Sequence, residues 1–199
     1  MRLLVLGGTR SGKSAHAEAV AAASGAPVVY VATARRDDAD AEMADRIAAH
    51  RDRRPADWVT EETTELARVL REHPDATVLV DDLGGWLTAR LDATLGWTDG
   101  GRGLAAEIDA LVDAVADHPG PLVLVSPEVG LGVVPDTLSG RVFGDLLGTL
   151  NRRMADACGD AVLVVAGRAL PLGASGSDSG AGAGAGPSAT SPAARPPRP

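Results

Sequence analysis

Residues 7–14 read Gly-Gly-Thr-Arg-Ser-Gly-Lys-Ser, with Lys13-Ser14 directly after the glycine at position 12. No other stretch restricts the fold as tightly, because of what flanks it. Leu3-Leu4-Val5-Leu6 precedes it, a short apolar run suited to a buried strand. The Ala-rich stretch Ser14–Ser24 follows and ends at Gly25, which predicts a helix with a glycine stop. Strand, glycine loop and helix in this order make a phosphate site. Successive backbone N–H groups face the phosphate oxygens, and the positive end of the helix dipole stands behind them. The spacing G-x-x-x-x-G-K-[ST] then places Lys13 to bridge the β- and γ-phosphates and the Ser14 hydroxyl to ligate Mg²⁺. Lys13 is the only lysine in the chain, every other basic side chain being arginine. A compact ammonium with rotatable donors suits a tight phosphate loop in a way that a planar guanidinium does not. A glycine turn that merely joined a strand to a helix would not need that exception.

Downstream, apolar runs alternate with helical stretches. Val28–Ala32 reads as a second strand introduced by Pro27, and Asp37 to about Arg53 as a helix with acids early and arginines late, as the helix dipole favours. Trp58–Thr60 reads as a short strand, Glu62–Glu72 as a helix, Thr77–Val80 as a strand running into Asp81-Asp82, and Gly84-Gly85 opens a helix to about Asp92. Gly96–Gly103 reads as a loop. The stripe Leu104, Ile108, Leu111, Val112, Val115 marks a helix to Ala116; Leu122–Val125 is a strand, Arg141–Ala157 a helix and Ala161–Val165 the last strand. Nearly continuous apolar strands between helices predict an α/β fold of the P-loop NTPase, RecA-like kind, with a mostly parallel central sheet covered by helices on both faces. Sites in such folds lie at the carboxyl ends of strands, where Thr33, Asp81, Asp82, Ser126 and Glu128 fall.

The expected organisation is one catalytic nucleotide-binding domain over 1–172 and a tail over 173–199. From Ala174 onward the composition is Gly, Ala, Ser and Pro with almost no bulky apolar residue, too little to offset the entropy of ordering it. A net charge of −8 argues against a broad electrostatic grip on nucleic acid or anionic lipid. Any polyanion must be bound locally. The single cysteine, Cys158, excludes an internal disulfide, and the first apolar run is too short for a signal peptide or a membrane span. The expectation is a cytoplasmic protein that neither inserts into a membrane nor binds nucleic acid.

Two further features carry chemistry. Asp81 ends an apolar strand, where a carboxylate can hold Mg²⁺ opposite the Ser14 hydroxyl; an ordinary turn or N-cap aspartate is the competing reading, and Asp82 is the weaker candidate. The second feature is His50-Arg51-Asp52-Arg53-Arg54-Pro55. Met43, Ile47 and His50 share one helix face by spacing, which suits a core histidine. Arg54 follows on that face with Arg51 and Arg53 beside it, and guanidiniums favour the neutral imidazole and grip phosphates. Spacing alone leaves a nucleophile and a structural histidine both open.

The motifs Gly7–Glu18, Tyr30-Val31-Ala32-Thr33-Ala34, Glu42-Met43, Arg46-Ile47, His50-Arg51, Arg54-Pro55 with Trp58, Glu62, Asp81 with Trp86-Leu87, and Glu128–Pro135 with Arg141 and Asp145 together carry a resemblance. Over residues 3 to about 168 the chain resembles the bifunctional adenosylcobinamide kinase/adenosylcobinamide-phosphate guanylyltransferase family of cobalamin biosynthesis. The resemblance implies that His50 becomes guanylylated, and that Lys13 and His50 are the catalytic residues. It further implies that Gly7, Gly8, Thr9, Arg10, Ser11, Gly12, Lys13, Ser14, Ala32, Thr33, Ala34, Arg51, Asp52, Arg53, Arg54, Glu62 and Asp81 contact the guanine nucleotide, with Ser14 and Asp81 at Mg²⁺. GTP and ATP are the implied substrates, adenosylcobinamide and its phosphate the acceptors, and a homo-oligomer the implied assembly. Glu128 receives no role from spacing; a loop-positioning carboxylate and a catalytic one both fit. Two departures stand out. Pro127 occupies the usual asparagine position before Glu-Val-Gly, and Asp82-Leu83-Gly84 replaces the frequent Cys-Leu-Thr after the strand aspartate. A small-molecule kinase with a structural His50 is the alternative, and a nucleotide-gated binding module the third reading.

Overall fold

The computed structural model describes residues 1–33 and 54–173. Among them a single sheet contains β1 (Arg2–Gly7), β2 (Val28–Ala32), β3 (Val59–Glu62), β4 (Thr77–Asp81), β5 (Leu122–Pro127), β6 (Gly159–Val165) and β7 (Arg168–Leu172). The strand order is β3-β2-β4-β5-β1-β6-β7. All neighbours pair in parallel except β6 and β7. The helices are α1 (Lys13–Ala22), α2 (Leu66–Glu72), α3 (Leu83–Thr94), α4 (Gly96–Asp99), α5 (Ala105–Asp117) and α6 (Leu138–Cys158).

Alternate side chains of each strand serve opposite faces, as the two-residue period of a strand requires. Leu4 and Leu6 of β1, with Val29, Val31, Val78, Val80, Leu122 and Leu124, pack beneath α2, α3, α5 and α6. Leu3 and Val5, with Val28, Tyr30, Leu79, Val123 and Val125, pack beneath Ala17 and Ala21 of α1. The sheet is thus covered on both faces, which explains why its strands read as unbroken apolar runs. Small residues let α1 lie close on the sheet, so the helix that follows the phosphate loop is held against the strand before it.

The expected elements are present with shifted bounds. The α6 helix starts three residues before the expected Arg141, because Thr137 caps it by accepting the Gly140 N–H on its hydroxyl at 3.1 Å. Glu62 belongs to β3, and α2 begins only at Leu66. Gly96–Gly103 is not a plain loop. It holds α4 and a 3₁₀ turn at Arg102–Leu104, delimited by left-handed backbone at Leu95, Gly100 and Gly101. Nor is β6 the last strand: Ala166 and Gly167 both take positive φ and return the chain into β7, the geometry of a two-residue hairpin turn. Pro171 is tolerated because β7 is an edge strand. The expected helix Asp37 to Arg53 lies outside the described residues, as does the tail beyond 173. Among the described residues no helix is long and apolar enough to cross a membrane.

Candidate functional site

Register brings the strand ends into rows. Ala32 pairs with Glu62 on one side and Asp81 on the other, while Gly7 lies between Pro127 and Val164. The loop Gly7–Ser14 therefore opens at the carboxyl edge of the sheet, level with the ends of β2, β3 and β4. Two of its glycines are structurally required. A Cβ at Gly7 would stand 2.8 Å from the Val164 carbonyl oxygen, and Gly12 has φ +96°, in the region that favours glycine. Gly12 is also the N-cap of α1, so the helix starts at Lys13, one residue before the predicted Ser14.

The loop is braced from within and from outside. Ser11 N–H donates to Gly8 O at 3.3 Å, Lys13 N–H to Ser11 Oγ at 3.3 Å and His16 N–H to Gly12 O at 3.0 Å. Gly167 N–H donates to Ser11 O at 2.8 Å, and Glu128 N–H donates to Gly7 O at 3.0 Å. The β6–β7 turn thus buttresses the phosphate loop, a role that apolar periodicity could not reveal.

The Ser14 hydroxyl lies 3.2 Å from Asp81 Oδ1. On its other oxygen, Oδ2, Asp81 accepts the Tyr30 hydroxyl at 2.7 Å. Burial, with Asp81 beside it, holds the Tyr30 phenol well above its ordinary pKa, so it is a permanent donor. Arg54 stacks over the Tyr30 ring at 3.3 Å from its centroid, a cation–π contact. A chain of contacts consequently runs from Arg54 through Tyr30 and Asp81 to Ser14. Tyr30 is the only tyrosine in the sequence, and it lies in β2, whose last residue pairs with Asp81. A hydroxyl and a carboxylate oxygen at this spacing are hard donors that fit Mg²⁺, which takes one or two protein oxygens and otherwise keeps phosphates and water.

Asp82 does something different. Its Oδ1 accepts the Gly85 N–H at 2.7 Å and caps α3, and burial raises its carboxyl pKa above the ordinary carboxylate value. Thr33 is buried, with its hydroxyl committed to Asp82: it donates to Asp82 O at 2.6 Å and accepts from Asp82 N–H at 3.0 Å. Thr33 therefore clamps the ends of β2 and β4 together. Gly8, Thr9, Arg10 and Gly12 are exposed at the mouth of the loop, as is Glu62, while Ala32 is half-buried. Glu128 accepts the Gly130 N–H on Oε1 at 2.6 Å, which positions its own loop. His50, Ala34, Arg51, Asp52 and Arg53 lie outside the described residues.

The two departures from the family pattern meet in space. A Cβ at Gly84 would approach Pro127 Cγ to 2.6 Å and Cδ to 3.0 Å. A threonine at 84 is incompatible with the rigid proline ring at 127, so the two exceptions form one packing solution. Behind Pro127, the Ser126 hydroxyl bonds Asn151 Oδ1 at 2.6 Å, and Asn151 Nδ2 donates to Pro127 O at 3.1 Å.

Similarity to known proteins agrees with this geometry. The profile of the family described as cobinamide kinase / cobinamide phosphate guanyltransferase matches residues 3–172. The bifunctional adenosylcobalamin biosynthesis protein CobP of Pseudomonas aeruginosa is 45% identical over 175 residues, spanning 86% of this chain and 97% of that protein. The bifunctional adenosylcobalamin biosynthesis protein CobU of Salmonella typhimurium is 39% identical over 185 residues, 84% of this chain and 97% of that protein. In three dimensions the chain is similar to an ATPase of a bacterial type III secretion system, with a TM-score of 0.52 at 14% identity, covering 81% of this chain and 50% of that one. That likeness supports the RecA-like P-loop fold alone.

Proposed function

The chain belongs to the cobinamide kinase / cobinamide phosphate guanyltransferase family and is a bifunctional transferase of adenosylcobalamin biosynthesis, and we propose that both reactions draw on one triphosphate site, the loop Gly7–Ser14. In the kinase reaction the loop amides and Lys13 hold the triphosphate of ATP or GTP. The adenosylcobinamide hydroxyl attacks the γ-phosphorus, the bond to the β-phosphate oxygen breaks, the hydroxyl proton is lost and a nucleoside diphosphate leaves. Catalysis is charge stabilisation and alignment. Ser14 and Asp81 are the residues that would hold Mg²⁺, which when bound neutralises charge on the β- and γ-phosphates.

In the transferase reaction a neutral His50 nitrogen attacks the α-phosphorus of GTP. An N–P bond forms and pyrophosphate leaves. A phosphate oxygen of adenosylcobinamide phosphate then attacks that phosphorus, the N–P bond breaks, and adenosyl-GDP-cobinamide results. The covalent intermediate divides one difficult transfer into two. Arg51, Asp52, Arg53, Arg54, Ala32, Thr33, Ala34 and Glu62 are assigned to nucleotide binding in the same reading. Support comes from Arg54, anchored on the Tyr30 ring beside Asp81. The reading also includes a cytoplasmic setting, a homo-oligomer, and a catalytic domain over 1–172 followed by a tail over 173–199.

The observation that carries the proposal is the meeting of Ser14 and Asp81 at 3.2 Å beneath the glycine loop. Incubation with α-labelled GTP tests the covalent step. The expected outcome is protein-bound label that is acid-labile, base-stable and absent from His50→Ala. A protein that takes up no label, or one labelled equally well as His50→Ala, removes the transferase mechanism and leaves a kinase with a structural histidine.

A further inference from the structure

The loop after β5, together with the first residue of α6, puts apolar side chains into water. Val129 is 44% exposed, Leu131 82%, Val133 96%, Val134 72% and Leu138 57%. Five of the eleven large exposed hydrophobics among the described residues thus fall within ten positions of one another. A concentration of this kind marks a binding surface, whereas single exposed apolar residues need no explanation.

The polar groups of the segment are turned to its own support. Gly130 N–H is held by Glu128, Arg141 donates to the carbonyl oxygens of Pro135 at 3.0 Å and Asp136 at 2.8 Å, and Thr137 caps α6. The apolar side chains are left as the outward face. The segment also starts at the reaction edge, since Glu128 N–H is bonded to Gly7 O, the first glycine of the phosphate loop.

We propose that the apolar run Val129–Leu138 is a platform for the corrin ring of the acceptor, holding the hydroxyl-bearing arm toward the phosphate loop. The inference rests on the function proposed above. Three properties select this occupant. The acceptor must be brought to the strand edge where the platform begins. A corrin macrocycle is broad and carries methyl groups between the amide arms of its rim, so it can rest apolar edges on an open surface. Adenosylcobinamide is a cation, and the chain carries a net charge of −8, so approach is favoured.

The test uses the full chain with Leu131→Asp and Val133→Asp combined; both side chains already stand in water, and an unchanged thermal midpoint checks the fold. Adenosylcobinamide binding is read by equilibrium dialysis, using the absorbance of the corrinoid, and turnover gives its KM. The expected result is a KM raised about 10–100-fold with matching loss of dialysis binding. Labelling by α-labelled GTP and the mass in solution stay as in the unmodified protein. An unchanged KM with normal turnover overturns the platform and leaves the proposed function standing. A fall in mass also overturns it, because the face then belongs to a second copy of the chain. If the unmodified protein neither binds nor turns over adenosylcobinamide, the function itself fails and the platform with it.

Discussion

The Tyr30 hydroxyl donates to Asp81 Oδ2 at 2.7 Å while Asp81 Oδ1 faces the Ser14 hydroxyl at 3.2 Å. Each oxygen of one carboxylate thus has its own partner, and the buried phenol fixes which oxygen points toward the phosphate loop. Tyr30 is a positioning residue in the proposed reaction. Tyr30→Phe keeps the ring beneath Arg54 and removes only this bond. Affinity for the divalent ion is expected to fall about 10-fold, at the lower end of the range for groups that orient metal ligands. Titration of Mn²⁺ with GTP present, followed by paramagnetic resonance, checks this apart from turnover. The fold is expected to lose about 1.5–3 kcal/mol, the usual net worth of one hydrogen bond to a charged group.

Gly84 and Pro127 make a second dependent pair. Gly84→Thr in the present background forces a side chain into the Pro127 ring, with an expected loss of about 1–3 kcal/mol from overpacking. Combined with Pro127→Asn the same substitution is expected to recover most of that loss. Urea unfolding of the two single variants and the double variant measures the coupling; additive effects would show that the positions are independent.

Lys13→Ala is expected to leave the thermal midpoint nearly unchanged and to lower phosphoryl transfer about 10²–10³-fold, the usual effect of deleting one donor to a developing charge. Lys13→Arg is expected not to rescue it, because a planar fork replaces a compact ammonium in a closely braced loop. Initial rates at saturating nucleotide decide both.

Stability is expected to decline on both sides of neutrality through two residues remote from the site. His118 is buried, its Nδ1 bonded to Leu70 O at 3.1 Å and its Nε2 without a hydrogen-bond partner. Burial lowers its pKa below the ordinary 6.5. The unfolded chain therefore binds the proton more readily, and stability falls as pH drops below about 6.5. Burial pushes the Cys158 thiol from 9.0 up to about 12. Here the folded state retains the proton, so stability falls as pH rises from 9.0 toward about 12. Thermal midpoints across this range should follow both limbs, with His118→Gln flattening the acid one and Cys158→Ala the alkaline one.

The order of short-range features was legible in the chain itself. Apolar runs marked β1, β2, β4, β5 and β6, the Gly7–Ser14 spacing marked the phosphate loop, and Asp81 at a strand end pointed to its partner Ser14. All of these follow from residue type and local period. Cap chemistry was equally present in Thr137 and Asp82, where a short polar side chain displaced a helix start by a few residues. What tertiary structure decided were contacts between segments far apart in sequence. The Ala166-Gly167 turn lacks the asparagine or aspartate that usually announces a hairpin, yet it forms β7 and its amide props Ser11. Pro127 and Gly84 looked like two unrelated exceptions until packing joined them. Tyr30 looked like one more apolar strand residue until its hydroxyl met Asp81. Local sequence sets the conformation a segment can adopt, but which groups become neighbours depends on strand register across the sheet, and that is a property of the whole fold.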